Sequence, residues 1–89
     1  MAAQKWEYCS LKIDHLDDRQ VVRFIQYKID GQVEQPVEPD EFGRFVAQLG
    51  RESWELAGVS SDQPPPPGAR YRESWVFKRP LRVSRRSGV

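Results

Sequence analysis

The sequence predicts an α+β fold in which one helix packs on one face of an antiparallel sheet of four to five strands. Only one segment has a clear helical periodicity, with apolar residues at Phe42, Phe45, Val46 and Leu49. The segments on both sides of it alternate polar residues with aromatic or β-branched ones, which is the pattern of half-buried strands. The expected element order is therefore β-β-β-α-β-β, within a single domain.

Three strands are expected before the helix. Residues 5–13 and 20–29 both carry strand-like alternation. The dipeptide Asp30-Gly31 is a hairpin signal, because the tightest hairpin turns need residues that tolerate a positive φ. Residues 32–35 should therefore fold back as a short third strand. Pro36 should end that strand, since proline has no N–H to donate to a sheet.

The helix is expected to begin near Pro39 and to end at Gly50. Proline is favourable at the first helical position, where its missing N–H would have no partner in any case. Gly50 is the natural residue for the left-handed conformation that ends many helices. We expect the apolar face of the helix to pack on the sheet beside Leu56 and Val76.

Two further strands should follow the helix, over residues 54–60 and 70–79. Between them, a run of four prolines cannot join a sheet and is expected to form a stiff loop. The domain is therefore expected to occupy residues 1–80. A basic, flexible C-terminal tail should follow over residues 81–89, which contain few apolar side chains.

Composition predicts a cytoplasmic protein whose own hydrophobic core is too small to make the fold stable without further buried surface. The chain has 89 residues and one cysteine, so disulfides cannot reinforce a small domain, and a lone thiol favours a reducing compartment. The N-terminus lacks the pattern of a signal peptide, and no apolar run approaches the roughly 20 residues of a membrane span. We therefore expect no contact with membranes. Oligomerisation is the remaining way to bury additional surface.

Three short motifs resemble those of a known family. Trp6-Glu7-Tyr8 opens the first strand, Gly50-x-Glu52-x-Trp54-Glu55-Leu56 spans the helix-to-strand junction, and Phe77-Lys78-Arg79-Pro80 closes the last strand. In this order and spacing, over residues 4–80, the chain resembles the small prokaryotic domain-of-unknown-function family numbered four-one-seven-seven. The resemblance implies the same small α+β fold and no assigned activity. Relatives usually have glycine where Ser53 stands, so this turn is expected to be less strained than theirs.

No catalytic, cofactor-binding or metal-binding residue is predicted. His15, the only histidine, lies beside Asp17 and Asp18 in what reads as a solvated turn, with fewer converging ligands than a zinc site needs. Cys9 alternates with Leu11 along the first strand and is expected to be a buried small hydrophobe, without the neighbouring base that a nucleophile requires. We therefore expect a protein that is not an enzyme and that uses no cofactor.

Aromatic residues on the sheet predict a surface for self-association. One helix covers only part of one sheet face, and large exposed apolar patches are rare on monomers. We expect a homo-oligomer whose interface is an aromatic-rich face or edge, with an unidentified protein partner as a further possibility. Alternatively, the same side chains belong to the core. The candidate interface residues are Trp6, Tyr8, Tyr71, Trp75 and Phe77.

An uneven charge distribution supports an alternative function, the binding of nucleic acid or another anionic partner. Residues 1–69 hold seven Lys or Arg against twelve Asp or Glu, whereas residues 70–89 hold seven against one. A basic strand with interleaved aromatic residues is one pattern of single-strand binding. We consider this less favoured than self-association. The candidate contact residues are Arg70, Arg72, Arg79, Arg82, Arg85 and Arg86.

Overall fold

The computed structural model describes residues 4–81 and confirms an α+β domain with one α-helix and a five-stranded antiparallel sheet. The elements follow the expected order: β1 Trp6–His15, β2 Gln20–Lys28, β3 Gly31–Val37, a 3-10 turn Pro39–Glu41, α1 Phe42–Arg51, β4 Glu55–Asp62 and β5 Tyr71–Pro80. All of the predicted basic tail beyond Leu81 lies outside the described residues. No helix among residues 4–81 is long and apolar enough to cross a membrane.

The strand order in the sheet is β3-β2-β1-β5-β4, and every neighbouring pair is antiparallel. β1 is the central strand and the most deeply buried one, because Cys9, Ser10, Leu11 and Ile13 all lie within it. The last strand, β5, is inserted between β1 and β4, and it pairs with every residue of β1. The two edges of the sheet are therefore β3 and β4.

The strand register divides the side chains between two faces of the sheet. The covered face, which carries the helix, includes Cys9, Leu11 and Ile13 of β1 and Phe77 of β5. The opposite, open face carries Ser10 and the other even-numbered residues of β1. The core cluster on the covered face consists of Cys9, Leu11, Ile13, Val22, Val37, Leu49, Trp54 and Phe77, with Phe24, Phe42, Phe45, Val46 and Trp75 packed against it.

The helix packs on the sheet as predicted, but the expectation that it packs beside Val76 was wrong. Phe45 contacts Phe24 with ring centroids 5.1 Å apart, and Phe42 meets Trp75 edge-on at 5.2 Å. Val76 pairs with Ser10 and therefore points to the open face, away from the helix. Leu56 does lie on the covered face, opposite Phe77, but half of its surface remains exposed. Leu56 is not part of the core cluster beneath the helix.

Two details of the β2–β3 hairpin differ from expectation. The hairpin forms, but its two turn residues are Ile29 and Asp30, because Lys28 pairs with Gly31. Gly31 supplies the positive φ, 149°, as the first residue of β3. The strand then runs through Pro36 to Val37. Proline is tolerated here because β3 is an edge strand, where a missing N–H need not interrupt a second ladder.

The helix ends in a Schellman motif, and its left-handed residue is Ser53 instead of the expected Gly50. Ser53 has a φ of 71°, whereas Gly50 is an ordinary residue of the last helical turn. The Trp54 N–H donates to the Leu49 carbonyl at 3.0 Å, and the Ser53 N–H donates to the Gly50 carbonyl at 3.0 Å. Both Leu49 and Trp54 are buried in the core cluster, which supplies the apolar contact typical of this motif. The expectation of a less strained turn was therefore wrong, because Ser53 places a Cβ in the left-handed conformation that glycine adopts freely.

Replacing Ser53 by glycine should stabilise the protein. A left-handed conformation costs a residue with a Cβ about 1–2 kcal/mol, and glycine avoids most of that cost. We expect Ser53→Gly to raise the free energy of unfolding by about 1 kcal/mol in urea titrations. The control is Ser53→Ala, which removes the hydroxyl but keeps the Cβ. An equal gain from alanine would contradict the assignment of strain to this φ.

Candidate functional site

The five aromatic residues predicted to form one interface lie on two different faces. Trp6 and Tyr8 point to the open face, whereas Trp75 and Phe77 point to the covered face beneath the helix. Phe77 is buried in the core, so it offers no surface to another molecule. Tyr71 lies at the opposite end of the sheet from Trp6, since it pairs with the last residue of β1. No single surface therefore contains the predicted set.

The open face nevertheless ends in an aromatic cluster, the aromatic end. Trp6, Tyr8 and Tyr27 lie on the face itself, and Ile29 of the hairpin turn and Leu81, the residue after β5, border the same recess. All five residues keep more than a third of their surface exposed, and with Glu7, Gln26, Lys28 and Asp30 they line an open recess of about 670 Å³ at this end of the sheet. Tyr27 and Ile29 were missed by the sequence prediction. Strand alternation placed them on one face of the second predicted strand. Only the β1–β2 register, with Ser10 opposite Ile25, shows that Tyr27 lies on the face of Trp6 and Tyr8.

Two polar contacts hold the aromatic end in place. The Lys78 ammonium lies 4.4 Å from the ring centroid of Trp6, which is a cation–π distance. The Tyr27 and Ser10 hydroxyls form a hydrogen bond of 2.9 Å, and Ser10 is almost completely buried beneath it. The exposed rings of Trp6 and Tyr27 are therefore anchored, which lowers the entropy cost of using them in an interface.

The remainder of the open face is an ion-pair network. Arg72 binds the Asp14 carboxylate with two N–H groups, and Arg23 lies 3.9 Å from Asp14 and 3.6 Å from Glu34. The Arg72 hydrogen bond holds the pKa of Asp14 below its ordinary value of 3.8, and the nearby positive charges act in the same direction. The network links side chains of four adjacent strands, β3, β2, β1 and β5.

Positive and negative charges balance on the open face. By register, four cationic side chains lie on this face with four carboxylates. The cations are Lys12, Arg23, Arg72 and Lys78, and the carboxylates are Asp14, Glu34, Glu55 and Asp62. Lys12 donates to the Ser74 hydroxyl at 3.0 Å, and that hydroxyl donates to Asp62 at 3.3 Å. A polyanion therefore meets no net positive charge on this face.

Removing the Asp14 carboxylate should destabilise the protein in a pH-dependent way. Because the folded pKa of Asp14 is lowered, its ion pair is fully stabilising above pH 3.8 and is lost as the pH falls through the folded pKa. We expect Asp14→Asn to lower the free energy of unfolding by about 1–3 kcal/mol at neutral pH. The difference in the free energy of unfolding between Asp14→Asn and the natural protein should become smaller below a pH of about 4.

Asp17→Asn is the matched control for that measurement. Asp17 lies 3.5 Å from Arg70, but both side chains are largely exposed, so solvent screens the pair. We expect its removal to change stability little at any pH. A difference between Asp14→Asn and the natural protein that persists unchanged into strong acid would contradict a role for the Asp14 charge.

Two of the arginines predicted to contact anions are used inside the fold. Arg72 is held by Asp14. Arg79 stacks on Trp54 with its guanidinium carbon 4.1 Å from the ring centroid, and its Nε donates to Glu7 at 2.8 Å. Arg79 also donates to the Glu52 carbonyl at 2.6 Å, which caps the end of the helix. These guanidinium groups are therefore not free to bind a phosphate.

The other predicted basic contacts provide little further support. Arg70 is exposed and close only to Asp17. Arg82, Arg85 and Arg86 lie outside the described residues. An open recess of about 690 Å³ lies beside Arg79, but its lining includes the carboxylates of Glu7 and Glu52, which disfavour an anion.

His15 does not lie in a solvated turn, as the sequence had suggested. It is the last residue of β1, mostly buried, with its ring stacked on Tyr71 at a centroid distance of 4.1 Å. Its Nε2 lies 3.4 Å from a carboxylate oxygen of Glu73. The tight β1–β5 pairing brings these residues together, because His15 lies directly opposite Tyr71. The stack closes the far end of the covered face.

Cys9 is a structural residue of the core, as expected. Its side chain is fully buried, and burial raises the pKa of the thiol to about 12. A thiol in this state is a poor nucleophile. Among residues 4–81, no three His, Cys, Asp or Glu side chains converge as a metal site requires.

Comparisons with known proteins do not identify the chain. It matches no model of a known protein family and no curated protein. The resemblance of its three motifs to a domain-of-unknown-function family therefore stays an expectation.

Proposed function

We propose that this chain is a non-enzymatic interaction module of the cytoplasm that assembles with copies of itself, with the aromatic end of the open face as its principal contact surface. The observation that carries this proposal is the exposure of Trp6, Tyr8 and Tyr27 at one end of the open face, with Ile29 and Leu81 beside them. Among residues 4–81, no helix covers this face. Tryptophan and tyrosine are the residues most enriched among the energetically dominant contacts of protein interfaces.

The coverage of the sheet supports association. A single helix of ten residues lies on one face of five strands, so much apolar surface stays accessible. A domain of this size has little stability to spare, and an interface supplies further apolar burial. Large apolar side chains with more than a third of their surface exposed are Trp6, Tyr8, Tyr27, Ile29, Val33, Leu56, Val59, Tyr71 and Leu81.

The charge balance of the open face favours a second copy over a nucleic acid. A surface with equal numbers of both charges can meet its own copy without net repulsion. Nucleic-acid binding instead draws most of its affinity from unpaired Lys and Arg that neutralise phosphates. On the open face, Arg72 and Arg23 are already paired with carboxylates. The alternative of an anionic partner therefore depends on Lys12, Lys78 and residues beyond Leu81.

Self-association predicts a mass above that of the 10.4 kDa chain in light scattering after gel filtration. Tyr8→Ser should weaken this assembly about tenfold or more, because it removes an exposed ring from the centre of the aromatic end. The matched control is Tyr71→Ser, on the other face, since 39% of Tyr71 and 45% of Tyr8 are exposed. A natural protein that stays monomeric up to millimolar concentration, or equal effects of the two variants, would contradict the proposal.

A binding assay distinguishes self-association from the alternative, the binding of nucleic acid or another anionic partner. Fluorescence anisotropy with short single- and double-stranded probes should detect no tight binding at about 150 mM salt, because the open face has no net charge. Binding that survives this salt concentration and weakens when residues 82–89 are deleted would favour the anionic-partner function instead.

A further inference from the structure

The two edges of the sheet differ in how well they are protected from pairing with another strand. Proline or charged residues along an edge strand usually prevent it from pairing with a strand of another molecule. β3 has both, since Glu34 and Pro36 lie in its interior. In β4 the only charged residues are Glu55 and Asp62, at its two ends, and it contains no proline. Among the described residues, no strand pairs with the outer edge of β4.

A β-bulge gives β4 an apolar surface beside this edge. Leu56 and Val59 are three residues apart, so in a regular strand they would point to opposite faces. The bulge between Leu56 and Gly58 changes this, since Leu56 then lies opposite Phe77 and Val59 opposite Trp75, both on the covered face. Leu56 and Val59 are 50% and 52% exposed, at the margin of the core.

We propose that β4 pairs antiparallel with β4 of a second copy, so that the sheets of the two chains become continuous. This inference rests on the proposed self-association and names a seam for it, distinct from the aromatic end. An antiparallel pair of identical strands is self-complementary about a two-fold axis, the symmetry of most protein dimers. The unpaired N–H and C=O groups of each β4 would be satisfied by the other.

Side-chain chemistry selects one register for this seam. The register that places Leu56 opposite Val59 of the second copy also places Glu55 opposite Ser60. Leu56 and Val59 both lie on the covered face, and Glu55 and Ser60 both lie on the open face. A shift of two residues would place Glu55 opposite Asp62, and like charges directly opposite each other are destabilising. Apolar contact and charge therefore favour the same alignment.

The selected register extends the hydrophobic layer of the covered face across the seam. Leu56 is the cross-strand neighbour of Phe77, and Val59 is that of Trp75. In the paired state, Leu56 and Val59 of each copy contact Val59 and Leu56 of the other, which continues the row of apolar side chains from one β5 to the other. The half-exposed residues at the margin of each core then become buried. The second copy is thus the occupant whose shape and charge fit this edge.

A charge placed on the edge tests the seam. Val59→Lys should halve the oligomeric mass measured by light scattering, because the lysine cannot be buried between two β4 strands. Val33→Lys is the matched control, since Val33 is also an edge valine on the covered face and is 51% exposed. We expect the control to keep the mass of the natural protein. Circular dichroism establishes that both variants are folded.

Engineered disulfides test the register itself. In the double variant Glu55→Cys with Ser60→Cys, the two new thiols of one chain are about 16 Å apart along the strand, too far to bond to each other. Mild oxidation should therefore link two chains covalently through this pair. Glu55→Cys with Asp62→Cys is the control for the shifted register and should link chains much more slowly.

The outcomes separate this seam from the broader proposal. A natural protein that is monomeric contradicts both. An oligomer whose mass is unaffected by Val59→Lys, and whose Glu55→Cys with Ser60→Cys variant does not cross-link, overturns the β4 seam and leaves self-association intact. Faster cross-linking in the Glu55→Cys with Asp62→Cys control would overturn the register. Halving of the mass by Val59→Lys together with cross-linking at 55 and 60 supports the seam, whatever Tyr8→Ser does to the aromatic end.

Discussion

The pairing of β5 with β1 is the constraint on which the rest of the structure depends. They are the last and first strands among residues 4–81, yet they lie side by side and pair over their full length, from Trp6 opposite Pro80 to His15 opposite Tyr71. Because side chains alternate between faces, a shift of one residue would move Cys9 and its partners out of the core. The composition of both sheet faces, and therefore every candidate surface, follows from this one register.

Two ion pairs specify that register, one on each face and near each end of the ladder. Glu7 is directly opposite Arg79 on the covered face, and Asp14 is directly opposite Arg72 on the open face. A slip of one residue would separate both pairs at once. Such partly exposed pairs add modest stability, but they penalise the wrong alignment strongly, since each slip leaves charges without partners. The arginines that gave β5 its basic appearance thus serve the fold.

The kinds of element and their order could be predicted from the sequence, because helical and strand periodicities are local properties. Which strands are neighbours is not local, and this is why Trp75 and Tyr8 were assigned to one surface although they lie on opposite faces. The end of the helix shows a different limit. Glycine is the usual left-handed residue, yet the buried Leu49–Trp54 contact sets the turn so that Ser53 takes that role. Tertiary packing overrode the local preference.

The one α-helix of residues 4–81 covers only part of their five-stranded sheet, and the surface that it leaves exposed is of two kinds. Most of the open face consists of paired charges and small buried serines. The aromatic end is therefore the part of this face that is suited to bind another apolar surface. At β4 the outer backbone N–H and C=O groups have no strand partner among residues 4–81, and a bulge places Leu56 and Val59 on the same face. If either surface binds a second copy, the folded state gains free energy that depends on protein concentration. A small domain without disulfides can then have low stability as a monomer and higher stability in the assembly. The same contacts would serve both folding and function.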